Sequence, residues 1–326
     1  MTLLPTPPTL PHPLEVAHDP PTLLEAARSY VQAAKAPNTR RAYRSQWATF
    51  DAWCERFGRQ SLPTEPATLA LFLTHRAQSG IKVASLGLAL SAIRAAHFEA
   101  SLPDPAANPE VRTLWEGIRR SHGTAQRCAT PLTADAIRTI VASLSLESIR
   151  EVRDRALVLV GFSGAFRRSE LVALDHSDLT LDPSRGVLVR VQRSKTDQLG
   201  AGANVAIPFG SHPDVCPIRA LEAWRAASRV EEGALFRSVD RHSRIGSRLD
   251  GRDVARILKQ LATLAGIASA QVSGHSLRAG LATTAALAGR SDRAIMLQGR
   301  WKSRTMVDRY VRTADVWREN AATGLL

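Results

Sequence analysis

The sequence predicts a mainly α protein with one small antiparallel β-sheet, arranged as an all-α domain followed by an α+β domain. Three observations carry this expectation. Apolar residues recur at helical spacing through most of the 326 residues, in runs separated by short Pro, Gly or Asn breaks. Between residues 178 and 209 the period shortens to three brief, β-branched runs. A polar, turn-rich stretch, SHGTAQRCATPLT at 121–133, interrupts the helical pattern.

Residues 1–21 contain seven prolines and no periodic apolar face, which predicts a disordered or extended tail. Residues 22–122 then read as helices throughout: TLLEAARSYVQAAKA, NTRRAYRSQWATFDAWCERFG, PATLALFLTHRAQSG, ASLGLALSAIRAAHFEAS and NPEVRTLWEGIRRSH. In the second of these, Tyr43, Trp47, Phe50 and Cys54 recur at helical spacing and are expected in the core, with Arg40, Arg41 and Arg44 on the other side. An apolar stripe backed by arginines suits a helix lying on a phosphate backbone; a solvated charged face is the alternative.

Residues 123–132 are read as a linker and 133–326 as the second domain. It opens with the helices ADAIRTIVASL and IREVRDRALVLVGF and a further helix starting at Arg167. The strands DLTLD, GVLVRVQ and ANVAIPF follow, each short and bounded by Gly, Pro or Asp, as in a three-stranded antiparallel sheet. Helices resume with PIRALEAWRAAS, DVARILKQLATLAG, SLRAGLATTAALAG, SDRAIMLQG and RTMVDRYV.

A formal net charge of +13 and a sequence pI near 10.8 create a field that attracts polyanions, nucleic acid before others. No apolar run approaches the roughly 18 residues of a membrane span, and no basic segment followed by an apolar one begins the chain. A cytosolic, nucleoid-associated protein is expected. Cys54, Cys128 and Cys216 have neither disulfide-framework nor zinc spacing and are read as reduced, structural thiols, with no metal and no cofactor. Arginine outnumbers lysine 38 to five, so each lysine stands out.

Four stretches of the second domain carry candidate chemistry: SGAFRRSELVAL around Arg167, RSKTDQ around Lys195, SGHSLRAG with His275 and Arg278, and GRWKSRTMVDRY ending at Tyr310. Together, and in this order, they resemble the tyrosine recombinase, or phage integrase, family, in the two-domain form of its Cre and Xer branches. The resemblance implies an α+β catalytic domain at 133–326 and a core-binding domain at 22–122. It also implies a reaction in which duplex DNA is cut and rejoined through a 3′-phosphotyrosyl bond, with strands exchanged by way of a Holliday junction. A homotetramer on two double-stranded DNA sites, needing neither metal nor ATP, is implied as well.

On that resemblance Tyr310, one of three tyrosines, is the nucleophile. Arg167 and Arg278 clamp the scissile phosphate, because a planar guanidinium offers paired donors to two phosphate oxygens. The start of the helix after Arg167 also presents backbone N–H groups to an anion. His275 and Arg278, three apart at a helix start, address one phosphate from the same face. His275 accepts the tyrosine proton or bonds a non-bridging oxygen.

Lys195, between two strands and hence at a hairpin tip, is the candidate proton donor to the leaving 5′ oxygen. Trp301 occupies a position where the family most often has histidine; the Cre branch resembles this chain in carrying tryptophan there. Its indole N–H can donate a hydrogen bond but cannot act as a base, which leaves that role to His275. Glu170 is expected to orient His275 or an arginine. The segment after Tyr310, with Val316, Trp317, Leu325 and Leu326 as apolar anchors, would dock on a neighbouring protomer or on its own domain. Two other readings are a type IB topoisomerase-like relaxing activity and a DNA-binding regulator on an idle recombinase scaffold.

Overall fold

A computed structural model describes residues 34–124, 129–192 and 202–315, with Leu23, Glu25, Ala27 and Tyr30; of Arg309 and residues 311–315 it describes the backbone alone. The expected tail, most of the first predicted helix, Cys128, Lys195 and the apolar residues after 315 lie outside the described residues. The chain separates into two compact units, 1–126 and 127–326. The architecture is mainly helical with small antiparallel sheets.

The first unit holds α1 (Pro37–Arg56), α2 (Pro66–Gln78), α3 (Val83–Glu99) and α4 (Pro109–His122). Pro37, Pro66 and Pro109 each open a helix, where a fixed φ helps and the missing N–H costs nothing. Asn108 caps α4 by accepting from the Glu110 amide. Phe50 and Cys54 of α1 are buried against Leu69, Phe72, Leu73, Leu86 and Ile93, and Phe50 meets Phe72 edge to face at 4.9 Å. Burial pushes the Cys54 thiol up to about 11, so it stays protonated. Tyr43 and Trp47 are half-buried, and Arg40, Arg41 and Arg44 are exposed.

The buried His97 joins two parts of this core. Its Nε2 accepts from the Thr64 amide at 3.0 Å, which leaves Nδ1 as the protonated nitrogen that donates to the Ile93 carbonyl.

The second unit begins with α5 (Ala134–Ala142) and α6 (Ile149–Ser163). A reciprocal Ser148–Glu151 cap starts α6. Leu157, Val158, Leu159 and Val160 of α6 are all buried, as suits a helix enclosed on every side. The short α7 (Arg168–Ala173) leads to β1 (Leu179–Asp182), β2 (Gly186–Val191) and β3 (Ala203–Pro208), an antiparallel meander with β2 in the middle. Val189 pairs with Leu179 on one side and Val205 on the other. Val187, Val189, Val191, Val205 and Ile207 turn into the core while Leu188 stays out, the period-2 alternation of a one-sided sheet.

Next come α8 (Pro217–Ser228), a second sheet of β4 (Arg237–Val239) and β5 (Ile245–Arg248), then α9 (Gly251–Leu264), α10 (Ser276–Leu287), α11 (Asp292–Gly299) and α12 (Arg304–Asp315). The β4–β5 pair has no counterpart in the sequence reading. Its residues are Arg, Ser, Gly and single apolar side chains without alternation. It is held from outside: Arg150 and Arg153 of α6 donate to the carbonyls of Val239 and Arg237, and the Leu249 amide donates to Phe236.

Helix α10 packs on α6 and α12. The segment before α5 runs along it, with the Leu132 amide donating to the Ser276 carbonyl and the Ala134 amide to Thr284 Oγ1. Gly280 makes this approach possible, since a Cβ there would overlap the Leu132 carbonyl oxygen. No helix among the described residues is long and apolar enough to cross a membrane.

Candidate active site

Helix α6 ends at Ser163, and the chain turns through Gly164 and Ala165, the latter at φ +46°, into Arg167. A Cβ on Gly164 would strike the Phe166 ring, so only glycine fits this turn. Arg167 stands just before α7 in extended conformation. Its side chain donates to Glu170 Oε1 at 2.5 Å, and its backbone amide donates to Glu170 Oε2 at 2.9 Å. The amide expected to face an external anion is therefore engaged by Glu170. An anion would have to be met by the Arg167 guanidinium instead.

His275 and Arg278 enter from the start of α10. Arg278 is fully buried, and its Nη1 donates to the Ala165 carbonyl at 2.7 Å. Its Nη2 has no hydrogen-bond partner among the described residues. Burial above all, then the neighbouring Arg167, pushes the Arg278 guanidinium down to about 9; Glu170 opposes that shift. It remains a cation at neutral pH. A buried cation with an unpaired donor is suited to a phosphate oxygen.

Trp301 follows the end of α11 and is buried among Ala282, Ala286, Ile295 and Val307. The Arg278 guanidinium carbon lies 4.1 Å from the centre of the Trp301 ring, a cation–π contact. Its other neighbour is Tyr310, with ring centres 5.8 Å apart. Tyr310 on α12 is half-buried, and its hydroxyl oxygen is 2.6 Å from His275 Nε2.

The structure thus brings together Arg167, Glu170, His275, Arg278, Trp301 and Tyr310. Lys195 lies outside the described residues. Arg40, Arg41 and Arg44 belong to the first unit.

One participant escaped the sequence reading. Arg300, at φ +55° directly after α11, donates to Glu170 Oε2 at 2.8 Å, to the Gly164 and Gln298 carbonyls at 3.1 and 3.0 Å, and to the Ala165 carbonyl at 3.2 Å. Glu170 was expected to orient His275 or an arginine, and it engages two arginines, Arg167 and Arg300. Burial, the largest influence on Glu170, favours its neutral form, but Arg300 and Arg167 outweigh it and hold the carboxyl below its usual range. Nothing marked Arg300 among 38 arginines except its place beside Trp301.

Among the described residues no group of three or more His, Cys, Asp or Glu is placed to hold a metal ion.

The sequence profile of the phage integrase family matches residues 131–316. An integrase/recombinase described as a xerD homolog from Selenomonas ruminantium is 36% identical over 299 residues, covering 90% of this chain and 87% of that protein. Among solved structures, XerH site-specific recombinase bound to a palindromic difH substrate, in a post-cleavage complex, matches with a TM-score of 0.59 and 18% identity over 80% of this chain and 72% of that one. A lambda integrase dimer bound to a COC′ core site matches with a TM-score of 0.57 and 20% identity over 89% and 93%. At these identities the structural likeness concerns the fold.

Proposed function

The chain belongs to the phage integrase family and is a site-specific tyrosine recombinase, and from that premise we propose that Tyr310 cuts and rejoins the DNA backbone. The contact of 2.6 Å between its hydroxyl and His275 Nε2 carries this reading. Attack by the Tyr310 oxygen forms a bond to phosphorus and breaks the bond to the 5′ oxygen. The tyrosine proton passes to His275 Nε2, and the departing 5′ oxygen takes a proton from Lys195. The 3′-phosphotyrosyl bond conserves the energy of the broken linkage, so a 5′ hydroxyl from another strand reverses the step and releases Tyr310.

Arg278 meets one non-bridging oxygen through its free Nη2, and Arg167 meets the other. Trp301 contributes no proton. Its ring supports the Arg278 guanidinium, whose carbon lies 4.1 Å from the ring centre.

The substrate in this proposal is double-stranded DNA bearing a recombination site, gripped partly by Arg40, Arg41 and Arg44, which are exposed on α1. Four copies act on two sites, with a Holliday junction as the intermediate. The place of action is the cytoplasm, at the nucleoid.

The deciding experiment maps the DNA bound by the Tyr310→Phe protein and builds the recovered site into a nicked duplex that traps covalent protein. The wild-type chain is expected to give an adduct, Tyr310→Phe none, with DNA binding kept. A wild-type protein that binds the site without forming an adduct refutes the catalytic reading. Relaxation of plasmid without a site requirement would place the activity with topoisomerases.

A further inference from the structure

Four charged groups converge where α6, α7, α10 and α11 meet: the cations Arg167, Arg278 and Arg300, and one anion, Glu170. Arg300 holds an acceptor in common with each of the other two arginines. It shares the Glu170 carboxylate with Arg167, taking Oε2 while the Arg167 side chain takes Oε1. It shares the Ala165 carbonyl with Arg278, at 3.2 and 2.7 Å. Its remaining bonds run to protein carbonyls, and its guanidinium lies 5.1 Å from the Phe166 ring centre. The side chain is 9% exposed, so it is enclosed by protein and does not face solvent.

We infer that Arg300 is a positioning residue for DNA cleavage: it fixes Arg167 and Arg278 in one frame and keeps the Glu170 carboxylate from neutralising Arg167. The inference rests on the recombinase reading.

A carboxylate facing a single arginine frequently adopts the bidentate fork, with both oxygens on one guanidinium. Arg300 joins the Arg167 amide on Oε2 and so opposes this fork, which leaves Arg167 guanidinium donors for the phosphate. The turn at Gly164–Ala165 carries Arg278 through one carbonyl, and Arg300 holds that turn by two, which fixes where the Arg278 guanidinium lies. Arg300 pays for this with a left-handed backbone at φ +55° and a buried Nε that has no partner among the described residues. Glycine would relieve the backbone strain, but it would leave the Glu170 carboxylate and the two turn carbonyls without this partner.

The test uses the full chain and the nicked duplex defined above, with saturating protein, so that the single-turnover rate of adduct formation is separated from site affinity and thermal stability. Arg300→Gly suits the left-handed backbone and removes the guanidinium. Its adduct rate is expected to fall about 10²-fold, the cost of a misplaced catalytic group, with site affinity kept. Removing the carboxylate as well, in Arg300→Gly with Glu170→Gln, abolishes the competing fork and is expected to recover roughly tenfold of that loss. A merely structural arginine would give no such recovery. Arg300→Lys, which keeps a cation with fewer directed donors, is expected to fall between wild type and Arg300→Gly.

An Arg300→Gly protein that reacts at the wild-type rate overturns the inference, as does a double variant no faster than the single one. Loss of folding in both Arg300→Gly and Arg300→Lys makes Arg300 a stability residue and overturns it too. If wild type itself forms no adduct, the functional reading fails first and takes this inference with it.

Discussion

The Nε2 of His275 and the hydroxyl oxygen of Tyr310 lie 2.6 Å apart, although the residues are separated by 35 positions, with His275 just before α10 and Tyr310 on α12. The two helices pack directly, and Trp301 fills the space beside them. The proposed proton acceptor is thus set on the proposed nucleophile within a single chain.

His275→Gln retains a polar side chain of similar reach but cannot take the proton. Its adduct-forming rate on the nicked duplex is expected to drop about 10²-fold or more, with site affinity kept. A rate within about twofold of wild type would assign His275 to phosphate binding alone.

Trp301 packs against the Arg278 guanidinium and is the largest side chain of its cluster. Trp301→Ala is expected to lower stability by about 3–5 kcal/mol in urea denaturation and to slow adduct formation, because it opens a cavity and removes the surface on which the guanidinium rests. Trp301→Phe keeps a ring face and should lose less on both measures. Equal losses in the two variants would show that the stacking contact contributes nothing.

At Gly280 the expected change is structural. The Cβ of Gly280→Ala would press on the Leu132 carbonyl and force α10, with His275 and Arg278 at its start, away from the preceding segment. A loss of about 1–3 kcal/mol in denaturant unfolding is expected, accompanied by slower adduct formation. Gly117, where an added methyl group would meet nothing within 4 Å, is the control: Gly117→Ala should not destabilise the protein.

His176 sets a pH dependence of stability. It is 8% exposed and neither ring nitrogen has a partner among the described residues. Burial, then Arg225 and Arg237, hold its pKa below the ordinary 6.5, against the smaller pull of Asp175 and Glu231. Above pH 6.5 the ring is neutral in both folded and unfolded chains, so it adds no pH dependence. As pH falls through 6.5 the unfolded chain takes up a proton that the folded one resists, and stability declines until the folded value is reached. His176→Phe should flatten the decline measured between neutral pH and about pH 5 by thermal unfolding. An unchanged slope would assign the decline to other groups.

Much of the site was legible because its chemistry travels in short boxes. His275 and Arg278 are three residues apart at a helix start, and Arg167 with Glu170 spans one helical turn, so local spacing already set their neighbours. Arg300 was not legible. Its partners Gly164, Ala165 and Glu170 lie 130 or more positions away, and one arginine among 38 has no local pattern to distinguish it. The β4–β5 pair was missed for a related reason, since carbonyl contacts from Arg150 and Arg153 hold it in place of an apolar alternation of its own.

The sequence by itself determined the helical runs, the three-strand meander, the family and the set of residue types that phosphate chemistry needs. Periodicity and motif spacing are local properties, and helices and hairpins form from neighbours in the chain. Tertiary structure alone decided which groups touch. It placed the His275 ring on Tyr310, laid Arg278 on Trp301, and divided one Glu170 carboxylate between Arg167 and Arg300. The physical reason is burial: guanidinium and carboxylate groups removed from water must find partners, and those partners are whichever groups the packed helices bring within reach.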